Sequence, residues 1–315
     1  MDYLKNRSEF LFIYDIKDAN PNGDPLEENK PRVDEETGQI IVSDVRLKRT
    51  VRDYLFNIKG KEVFIIQAYD KNGNLMTIYK EDRAKYFNND PGEILTRCID
   101  MRLFGATTAI EGKTFTWTGP VQFKFGRSLH KVDGPILVKG TTIMPSEKNT
   151  KRSKEEIRRA GTFREEWVVP YALIGFYGIA NEYAARYTHL KEEDLDLLME
   201  ALWKGTKDLI TRSKFGQMPR LLLRLVYKEK SDFYIGELDK LVKWMPKEGL
   251  REEEVRDIKD GVLNMDDLIN TIGKCKDKIE RIEVNVHQRL TTQPEITSSL
   301  RSIVGADKVK VLQLS

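Results

Sequence analysis

The sequence contains little of what most catalytic and metal sites are built from. Its 315 residues include three histidines and two cysteines, and the cysteines, Cys98 and Cys275, lie far apart. The HExxH pattern of zinc proteases, the glycine-rich phosphate loop of nucleotide-binding proteins and the GxSxG pattern of serine hydrolases are all missing. Two isolated cysteines are typical of free thiols in a reducing compartment. We therefore predict no catalytic residue, no bound metal, no cofactor and no disulfide.

Long apolar runs are missing as well. The longest, residues 168–180, is 13 residues long and includes one proline and two glycines, so it is too short to cross a bilayer. The first ten residues are charged and contain no apolar segment, which predicts that the chain carries no secretory signal. These features predict a cytoplasmic protein that has no membrane partner.

No single sign of charge dominates the chain, whose formal net charge is +3. Such a weak balance does not identify a nucleic-acid partner, so the distribution of charge matters more than its sum. Residues 124–166 contain eleven lysines and arginines against six acidic residues. If this segment leaves the core, the excess favours a clamp on an anionic polymer, and the alternative is a soluble basic hairpin.

What the sequence does have is regular patterning. Contiguous apolar residues at 10–14 predict a strand over 9–16 that is covered on both faces. Ser43 and Asp44 are good N-cap residues, and the helical spacing of Leu47, Val51, Tyr54, Leu55 and Ile58 after them predicts a helix that ends near Gly60. The pattern also predicts strands over 63–69, 114–125, 167–176, 221–227 and 279–287, a helix beginning at 90–92, a helix over 195–210 and helical structure over 230–275.

Without its insertions, the predicted order is strand, helix, strand, strand, helix, strand. This order is typical of the α+β ferredoxin-like or RRM fold, which by itself defines no function. The predicted insertions are residues 17–42 after the first strand, 60–113 after the first helix and 129–162 between the second and third strands. Residues 230–315 form a C-terminal helical and strand extension.

Four cations occupy the first helix, and Lys48 and Arg52 lie four residues apart on one flank. Like charges at this spacing repel each other, and cations near a helix start oppose the macrodipole. A phosphate beside Lys48 and Arg52 would reverse this penalty, and the helix N-terminus would add donors. The alternative is a basic face that is simply solvated.

Other segments leave two interpretations open. Residues 100–105, DMRLFG, place an arginine and a phenylalanine beside a glycine on a predicted loop, which suits base stacking and phosphate binding or, alternatively, core packing. Residues 213–220 have a similar composition. Asp15, Asp18, Asp24 and Asp34 could gather a divalent metal, but acidic residues in such a loop are commonly turn formers.

Six stretches, taken together and in this order, resemble the CRISPR-associated Cas-seven family, and most closely its type I-B (Csh-two) and type I-C (Csd-two) branches. The resemblance covers roughly residues 7–230. The stretches are NPNGDP, VSDVRLKRTVRDYL, MRLFGA, TGPVQFKFGRSLHKV, GTFREEWVVPYALIGFYGIAN and KFGQMPRLLLRLVY.

The resemblance implies a modified ferredoxin-like or RRM palm, with a helical finger insertion over 60–113, a thumb hairpin over 129–162 and a loop over RNA at 17–42. It implies a non-catalytic backbone subunit of a type I Cascade surveillance complex in antiviral defence. Such a subunit polymerises along the CRISPR RNA and presents it for pairing with target DNA. The implied partners are CRISPR RNA, target DNA through the guide, copies of the chain itself and other Cascade subunits.

The resemblance also implies a set of RNA-binding residues, and it leaves two alternatives. Related type III backbone subunits cut target RNA in a metal-dependent reaction with an aspartate in this region, which makes Asp24, or else Asp18, the candidate for such chemistry. The other alternative is a solitary RRM-like RNA-binding module. The predicted RNA-binding residues are Asn20, Asn22, Arg32, Ser43, Arg46, Lys48, Arg49, Arg52, Arg102, Phe104, Arg127, His130, Lys131, Lys214, Gln217 and Arg220.

Overall fold

Strands and helices are mixed along the whole chain. The structure is a computed structural model that describes residues 3–67, 80–142 and 162–314. The strands are β1 Ser8–Ala19, β2 Gly23–Asp24, β3 Lys30–Pro31, β4 Val33–Asp34, β5 Gln39–Val42, β6 Gly105–Ile110, β7 Lys113–Thr118, β8 Val121–Phe123, β9 Gly126–Ser128, β10 Ile136–Thr142, β11 Thr162–Ala180, β12 Met218–Tyr227, β13 Lys243–Pro246, β14 Gly261–Asn264, β15 Ile279–Val286, β16 Thr292–Gln293 and β17 Val309–Val311. The helices are α1 Asp44–Asn57, α2 Lys80–Tyr86, α3 Pro91–Arg97, α4 Ile99–Phe104, α5 Glu182–Thr188, α6 Glu192–Glu200, α7 Asp266–Lys274 and α8 Ile296–Val304.

One large mixed sheet organises these elements. Within the described ranges its ten strands follow the order β17-β15-β12-β1-β11-β9-β5-β4, and β8 and β10 also pair with β11. β1 lies between β11 and β12 and pairs antiparallel with both, whereas β15 and β17 pair in parallel. The predicted α+β class is therefore confirmed at the level of a mixed fold around one large sheet.

β1 is buried on both faces, as its contiguous apolar residues predict. Phe10, Phe12 and Tyr14 belong to the core that also contains the buried side of α1. Leu11 and Ile13 point to the other face, where they join the core beneath the C-terminal region. Burial of each such side chain contributes on the order of 1.5–3 kcal/mol, so β1 stabilises the packing of both layers at once.

α1 begins and ends close to the predicted positions. The side chain of Ser43 caps the helix by accepting a hydrogen bond from the backbone N–H of Arg46 at 3.3 Å. Leu47, Val51 and Leu55 are buried, as their spacing predicts. Ile58 is exposed, so its assignment to the apolar stripe is wrong, because the helix has already ended at Asn57.

Several other predictions of secondary structure need correction. Residues 63–67 form no strand, and the remainder of the strand predicted to 69 lies outside the described residues. The strand predicted over 114–125 is interrupted at Gly119-Pro120, and its halves, β7 and β8, belong to different sheets. A Cβ on Gly119 would lie 2.0 Å from the backbone carbon of Phe104, so the backbone passes too close to Phe104 for any other residue.

The two long helical segments match the prediction to different degrees. The helix predicted over 195–210 is confirmed except at its end, because α6 continues through a π-helical turn, Ala201–Gly205, and two further helical residues to 207, whereas Ile210 lies outside the helix and is exposed. Residues 230–275 contain three short 3-10 helices, the strands β13 and β14 and one α-helix, α7, and the remainder is turns and irregular connections. The charged residues of this segment lie mostly on short connections between these elements. In the sequence, alternating acidic and basic residues on such connections look the same as the solvated face of a helix.

The predicted excursion at 129–162 contains a hairpin base. β10 pairs antiparallel with the first part of β11, from Ile136 opposite Val168 to Thr142 opposite Thr162. The middle of the predicted thumb, 143–161, lies outside the described residues, as does 68–79 of the predicted finger. Among the helices that are described, none is both long enough and apolar enough for a membrane span.

Candidate nucleic-acid interface

The loop after β1 is fastened to the start of α1 by one asparagine. Asn22 Oδ1 accepts hydrogen bonds from the backbone N–H of Ser43 at 2.8 Å and from its hydroxyl at 2.9 Å. The same hydroxyl oxygen caps α1 through the N–H of Arg46. Asn22 and Ser43, both predicted RNA-binding residues, are therefore in contact. The amide oxygen of Asn22 is used to hold the loop against the start of α1.

The remainder of the NPNGDP loop folds into a tight hairpin. Asn20 Nδ2 donates to the carbonyl of Asn29 at 2.6 Å, and Arg32 Nη1 donates to the carbonyl of Gly23 at 2.9 Å. A Cβ on Gly23 would lie 2.4 Å from that Asn29 oxygen, so only glycine fits at this turn. The prolines and glycine thus set a fixed loop shape beside α1.

Two cations meet beside this loop. Lys214 Nζ donates to the carbonyl of Asn20 at 3.0 Å, and Arg46 Nη2 donates to the hydroxyl of Thr50 at 2.9 Å. Neither cation forms an ion pair with a carboxylate in the described part of the chain. Burial, and then the positive charge of Arg46, lower the pKa of Lys214 from 10.5 to about 8. Burial also lowers the pKa of Arg46. We call this pair the Arg46–Lys214 site.

The Arg46–Lys214 site contains a hydrogen-bond donor that lacks a partner. Arg46 Nε is buried and has no hydrogen-bond partner among the residues described. A buried polar atom in this state costs about 1–3 kcal/mol, and two half-buried like charges add electrostatic repulsion. A phosphate would relieve the repulsion and accept hydrogen bonds from both cations. The geometry therefore suits an anion.

The outer face of α1 is less cationic than its basic residues suggest. Lys48 Nζ contacts Asp44 Oδ2 and Gln122 Oε1, each at 3.0 Å. Arg49 is exposed and pairs with Asp53 at 2.7 Å. Acids four residues from each cation offset the expected repulsion. Both acids are visible in the sequence at the i,i+4 spacing, so the two ion pairs could have been predicted from it.

Arg52, which the sequence predicts to bind guide phosphates together with Lys48, is buried. Its Nε pairs with Asp100 Oδ2 at 2.9 Å, and Asp100 is fully buried. The Asp100 carboxylate also accepts the backbone N–H groups of Phe64 at 2.7 Å and Ile65 at 3.1 Å. Arg52 therefore joins α1 to the segment after it, and its charge is already neutralised.

The predicted loop at Arg102 and Phe104 is in fact the helix α4, so that prediction is also wrong. Phe104 is buried in the core, with the Lys48 and Arg52 side chains over its ring. Arg102 pairs with Asp194 at 2.8 Å and donates to the carbonyl of Thr96 at 2.6 Å. Core packing, the alternative left open by the sequence, is the correct interpretation of this stretch.

Three predicted RNA-binding residues lie at the base of the β10–β11 hairpin. Arg127 and Lys131 are exposed, and His130 is buried. Arg127 pairs with Asp34 at 2.7 Å, and Lys131 pairs with Glu253 at 3.3 Å. Exposed pairs of this kind contribute little free energy, so a phosphate can replace either acid.

His130, which the sequence also predicts to bind RNA, is the buried residue of this group. Its Nε2 accepts the N–H of Leu173 at 3.3 Å, its Nδ1 lies 2.8 Å from the carbonyl of Lys131, and its ring stacks on Tyr171. Burial lowers the pKa of His130. The imidazole is therefore a neutral part of the core.

Gln217 and Arg220, which the sequence predicts to bind RNA, are buried at the start of the β12 region. Arg220 pairs with Asp15 at 2.9 Å, and its Nη1 lies 3.0 Å from Nδ1 of His287. Arg220 is buried because β12 is covered on both faces, and Gln217 is buried immediately before that strand. Of the two basic residues in the predicted stretch 213–220, Lys214 is the one that lies beside Arg46 and the loop after β1.

The four aspartates considered for a metal have separate roles. Asp24 pairs with Arg32 at 3.4 Å and accepts the N–H of Leu26 at 3.0 Å. Asp34 and Asp15 each pair with an arginine, and Asp18 is exposed at the end of β1. These contacts match the turn-forming interpretation of the loop acids.

Among the described residues, one acidic group is compact enough to share a cation. It consists of Glu192, Asp196 and Glu283. The guanidinium of Arg224 already pairs with Glu192 at 2.6 Å and with Glu283 at 3.2 Å. Arg281 also pairs with Glu192 and Glu283. The group is therefore part of an ion-pair network on the sheet.

Comparison with solved structures shows which fold class the chain has. A chain of a CRISPR RNA-guided surveillance complex superposes with a TM-score of 0.52 at 14% identity, covering 96% of this chain and 99% of that one. A chain of such a complex in a pre-nicking state gives a TM-score of 0.51 at 12% identity, covering 95% of this chain and 99% of that one. The fold is thus shared with subunits of these complexes.

Comparison of sequences shows the family. Residues 6–266 match the family model of the CRISPR-associated protein Cas7. The CRISPR-associated protein Cas7 of Haloferax volcanii is 30% identical over 304 residues, which cover 89% of this chain and 86% of that protein. The chain belongs to the Cas7 family, which confirms the resemblance found in the sequence.

Proposed function

We propose that this chain is a non-catalytic backbone subunit of a type I Cascade surveillance complex that polymerises along the CRISPR RNA. In this role it holds the RNA backbone, while base pairing between the guide and target DNA supplies the sequence recognition. Its partners are the CRISPR RNA, target DNA through the guide, further copies of itself and the other subunits of the complex. Family membership, together with likeness to chains of RNA-guided surveillance complexes, supports this proposal.

The Arg46–Lys214 site is the observation that supports RNA binding most directly. Two half-buried cations lack an acidic partner among the described residues and lie beside the capped start of α1. Both cations are attached to rigid elements, α1 and the loop that leads into β12. A phosphate group of RNA is the ligand that neutralises such a pair, and it accepts hydrogen bonds without regard to base identity.

The strand order supports the proposed palm. β12, β1, β11 and β8 are neighbours in the sheet, which is the order expected of a ferredoxin-like or RRM core. The proposed palm carries a loop over RNA at 17–42, a finger at 60–113, a thumb at 129–162 and a C-terminal extension at 230–315. Lys30, with its ammonium 5.7 Å from the centre of the Trp167 ring, joins that loop to the thumb base.

The contacts of Asp24 support the non-catalytic assignment over a type III-like nuclease. Its two carboxylate oxygens are engaged with Arg32 and with the N–H of Leu26, which is the arrangement of a turn acid. The cytoplasmic location predicted from the sequence stays a prediction.

The salt dependence of RNA binding tests the proposal. For a single-stranded ligand, each phosphate that a cation neutralises contributes about 0.7 to the slope of log affinity against log salt. The variants Arg46→Gln and Lys214→Gln should each weaken binding and flatten this slope. Lys259→Gln, on the C-terminal extension, is the control and should leave the slope unchanged. An unchanged slope in both site variants would contradict the assignment of the Arg46–Lys214 site.

A further inference from the structure

An exposed phenylalanine stands directly beside the Arg46–Lys214 site. Phe215 follows Lys214 in the chain, and 64% of its surface is exposed. In the described part of the protein it belongs to none of the apolar clusters, and no aromatic ring or cation packs on it. The protein therefore leaves a large apolar ring in solvent at the position that follows Lys214, which forms no ion pair with the described residues.

The backbone holds Phe215 in a defined turn. The N–H groups of Phe215 and Lys214 both donate to the carbonyl of Thr211, at 2.8 Å and 3.1 Å. The turn is joined to the loop after β1, since the N–H of Asn20 donates to the carbonyl of Ser213 at 2.7 Å. The backbone that carries Phe215 is thus held against the loop after β1, where Lys214 contacts Asn20.

Glycine at the next position gives the turn its direction. Gly216 has a φ of +97°, which lies in the left-handed region that glycine adopts without strain. After it the chain enters β12 and Gln217 is already buried. Phe215 consequently carries the last exposed side chain before the core strand.

The charges around Phe215 favour a nucleobase as its partner. Phe215 directly follows Lys214 in the chain, and Arg212, three residues before Phe215, is exposed and pairs with Glu166 at 3.6 Å. An aromatic ring among cations is the usual platform for single-stranded nucleic acid, because the cations bind phosphates and the ring stacks on a base. An apolar surface of a second protein would have to desolvate these same cations.

We propose that Phe215 stacks on a base of the bound RNA, next to the phosphate held by Arg46 and Lys214. The inference rests on the proposed RNA-binding function and adds a base contact to it. Because every base has an aromatic face, this contact raises affinity without selecting a sequence.

A pair of oligonucleotides separates the base contact from the phosphate contact. The wild-type chain and the Phe215→Ala variant are titrated with a fluorescent oligouridine of about ten nucleotides and with an abasic ribose-phosphate chain of the same length. We expect Phe215→Ala to weaken oligouridine binding between about fivefold and a hundredfold and to leave abasic binding unchanged. Phe215→Trp should retain the affinity, and its fluorescence should be quenched by oligouridine.

Two controls complete the experiment. Tyr187 is an exposed aromatic residue on α5, and α5 follows the end of β11 that lies away from the hairpin base. Tyr187→Ala should therefore change neither the affinity for oligouridine nor that for the abasic chain. Lys214→Gln should weaken the binding of both oligonucleotides. Equal losses on both oligonucleotides for Phe215→Ala, or no loss on either, would overturn the base contact. If Phe215→Ala keeps its affinity for oligouridine but no longer self-associates on long RNA, the base contact is wrong and Phe215 instead contacts another copy of the chain. A wild-type chain that binds neither oligonucleotide would overturn the proposed function itself.

Discussion

Lys214 Nζ donates a hydrogen bond to the backbone carbonyl of Asn20 at 3.0 Å, although the two residues are 194 positions apart in the chain. The contact places a cation from the loop before β12 against the loop after β1. Arg46, at the start of α1, supplies the second charge of the site. Three distant segments of sequence therefore build one surface for an anion.

The lowered pKa of Lys214 predicts a specific pH dependence of RNA binding. The free chain holds Lys214 half protonated near pH 8, and a nearby phosphate raises that pKa because it favours the charged form. Below pH 8 the lysine is charged before and after binding. Above pH 8 binding requires uptake of a proton, so we expect affinity to fall as pH rises from 8 to 10.

Titration calorimetry in buffers of different ionisation enthalpy measures this proton uptake. In the Lys214→Gln variant, which has no group to protonate, the uptake should vanish. Lys214→Arg keeps the charge and should bind RNA with an affinity that stays flat over this pH range. A wild-type affinity that does not change between pH 7 and pH 10 would contradict the buried position of the lysine.

The pair of Arg52 with Asp100 predicts a large effect on stability. Asp100→Ala leaves a buried guanidinium and two backbone N–H groups without their acceptor. We expect the free energy of unfolding to fall by about 3–5 kcal/mol, as for other broken buried pairs. Denaturant titration measures the loss. Asp53→Ala removes the acid of an exposed pair with Arg49 and should cost about 1 kcal/mol or less.

Arg52→Gln distinguishes a packing role from an RNA contact. We expect it to destabilise the chain while leaving the salt slope of RNA binding as in the wild type. If the variant instead keeps its stability and loses RNA affinity, Arg52 contacts the guide after all.

The hydrogen bonds from Ser43 to Asn22 predict that the loop and helix are energetically coupled. Asn22→Ala removes the acceptor of a backbone N–H and of a hydroxyl, and we expect a loss of about 1–2 kcal/mol in unfolding free energy. Asn22→Asp retains the acceptor and should lose much less. A double-mutant cycle with Ser43→Ala should give a coupling of about 1 kcal/mol. A coupling near zero would show that the capping hydroxyl does not depend on Asn22.

The contacts of Asp24 predict that the assembled complex does not cleave complementary RNA. Because its carboxylate pairs with Arg32 and accepts a loop N–H, we expect complementary RNA to stay intact in the assembled complex with magnesium. Denaturing gels of labelled RNA check this. Regularly spaced cuts that disappear in Asp24→Ala would establish the nuclease alternative.

Local signals in the sequence were enough to locate the main elements of the fold. The N-cap Ser43 and the spacing of Leu47, Val51 and Leu55 predicted α1, and the apolar run of β1 predicted burial on both faces. The family was also found from short motifs. These features depend on neighbours within a few positions, which a sequence displays directly.

Burial of charged and polar side chains could not be predicted in the same way. Arg52 is neutralised by an acid 48 residues away, and His130 accepts an N–H 43 residues away. A basic side chain looks the same in a sequence whether its partner is phosphate or a distant carboxylate. The Arg46–Lys214 site stands out only once the structure shows which cations have acids beside them.

The most direct test of the central claim is the mass of the particles that form on RNA of increasing length. Light scattering on the purified chain, after ribonuclease treatment and with single-stranded RNA added back, gives the number of copies bound to each length. A copy number that rises stepwise with RNA length is the result expected of a backbone subunit. A single copy bound at every length would contradict polymerisation along the guide and would favour a solitary RNA-binding module.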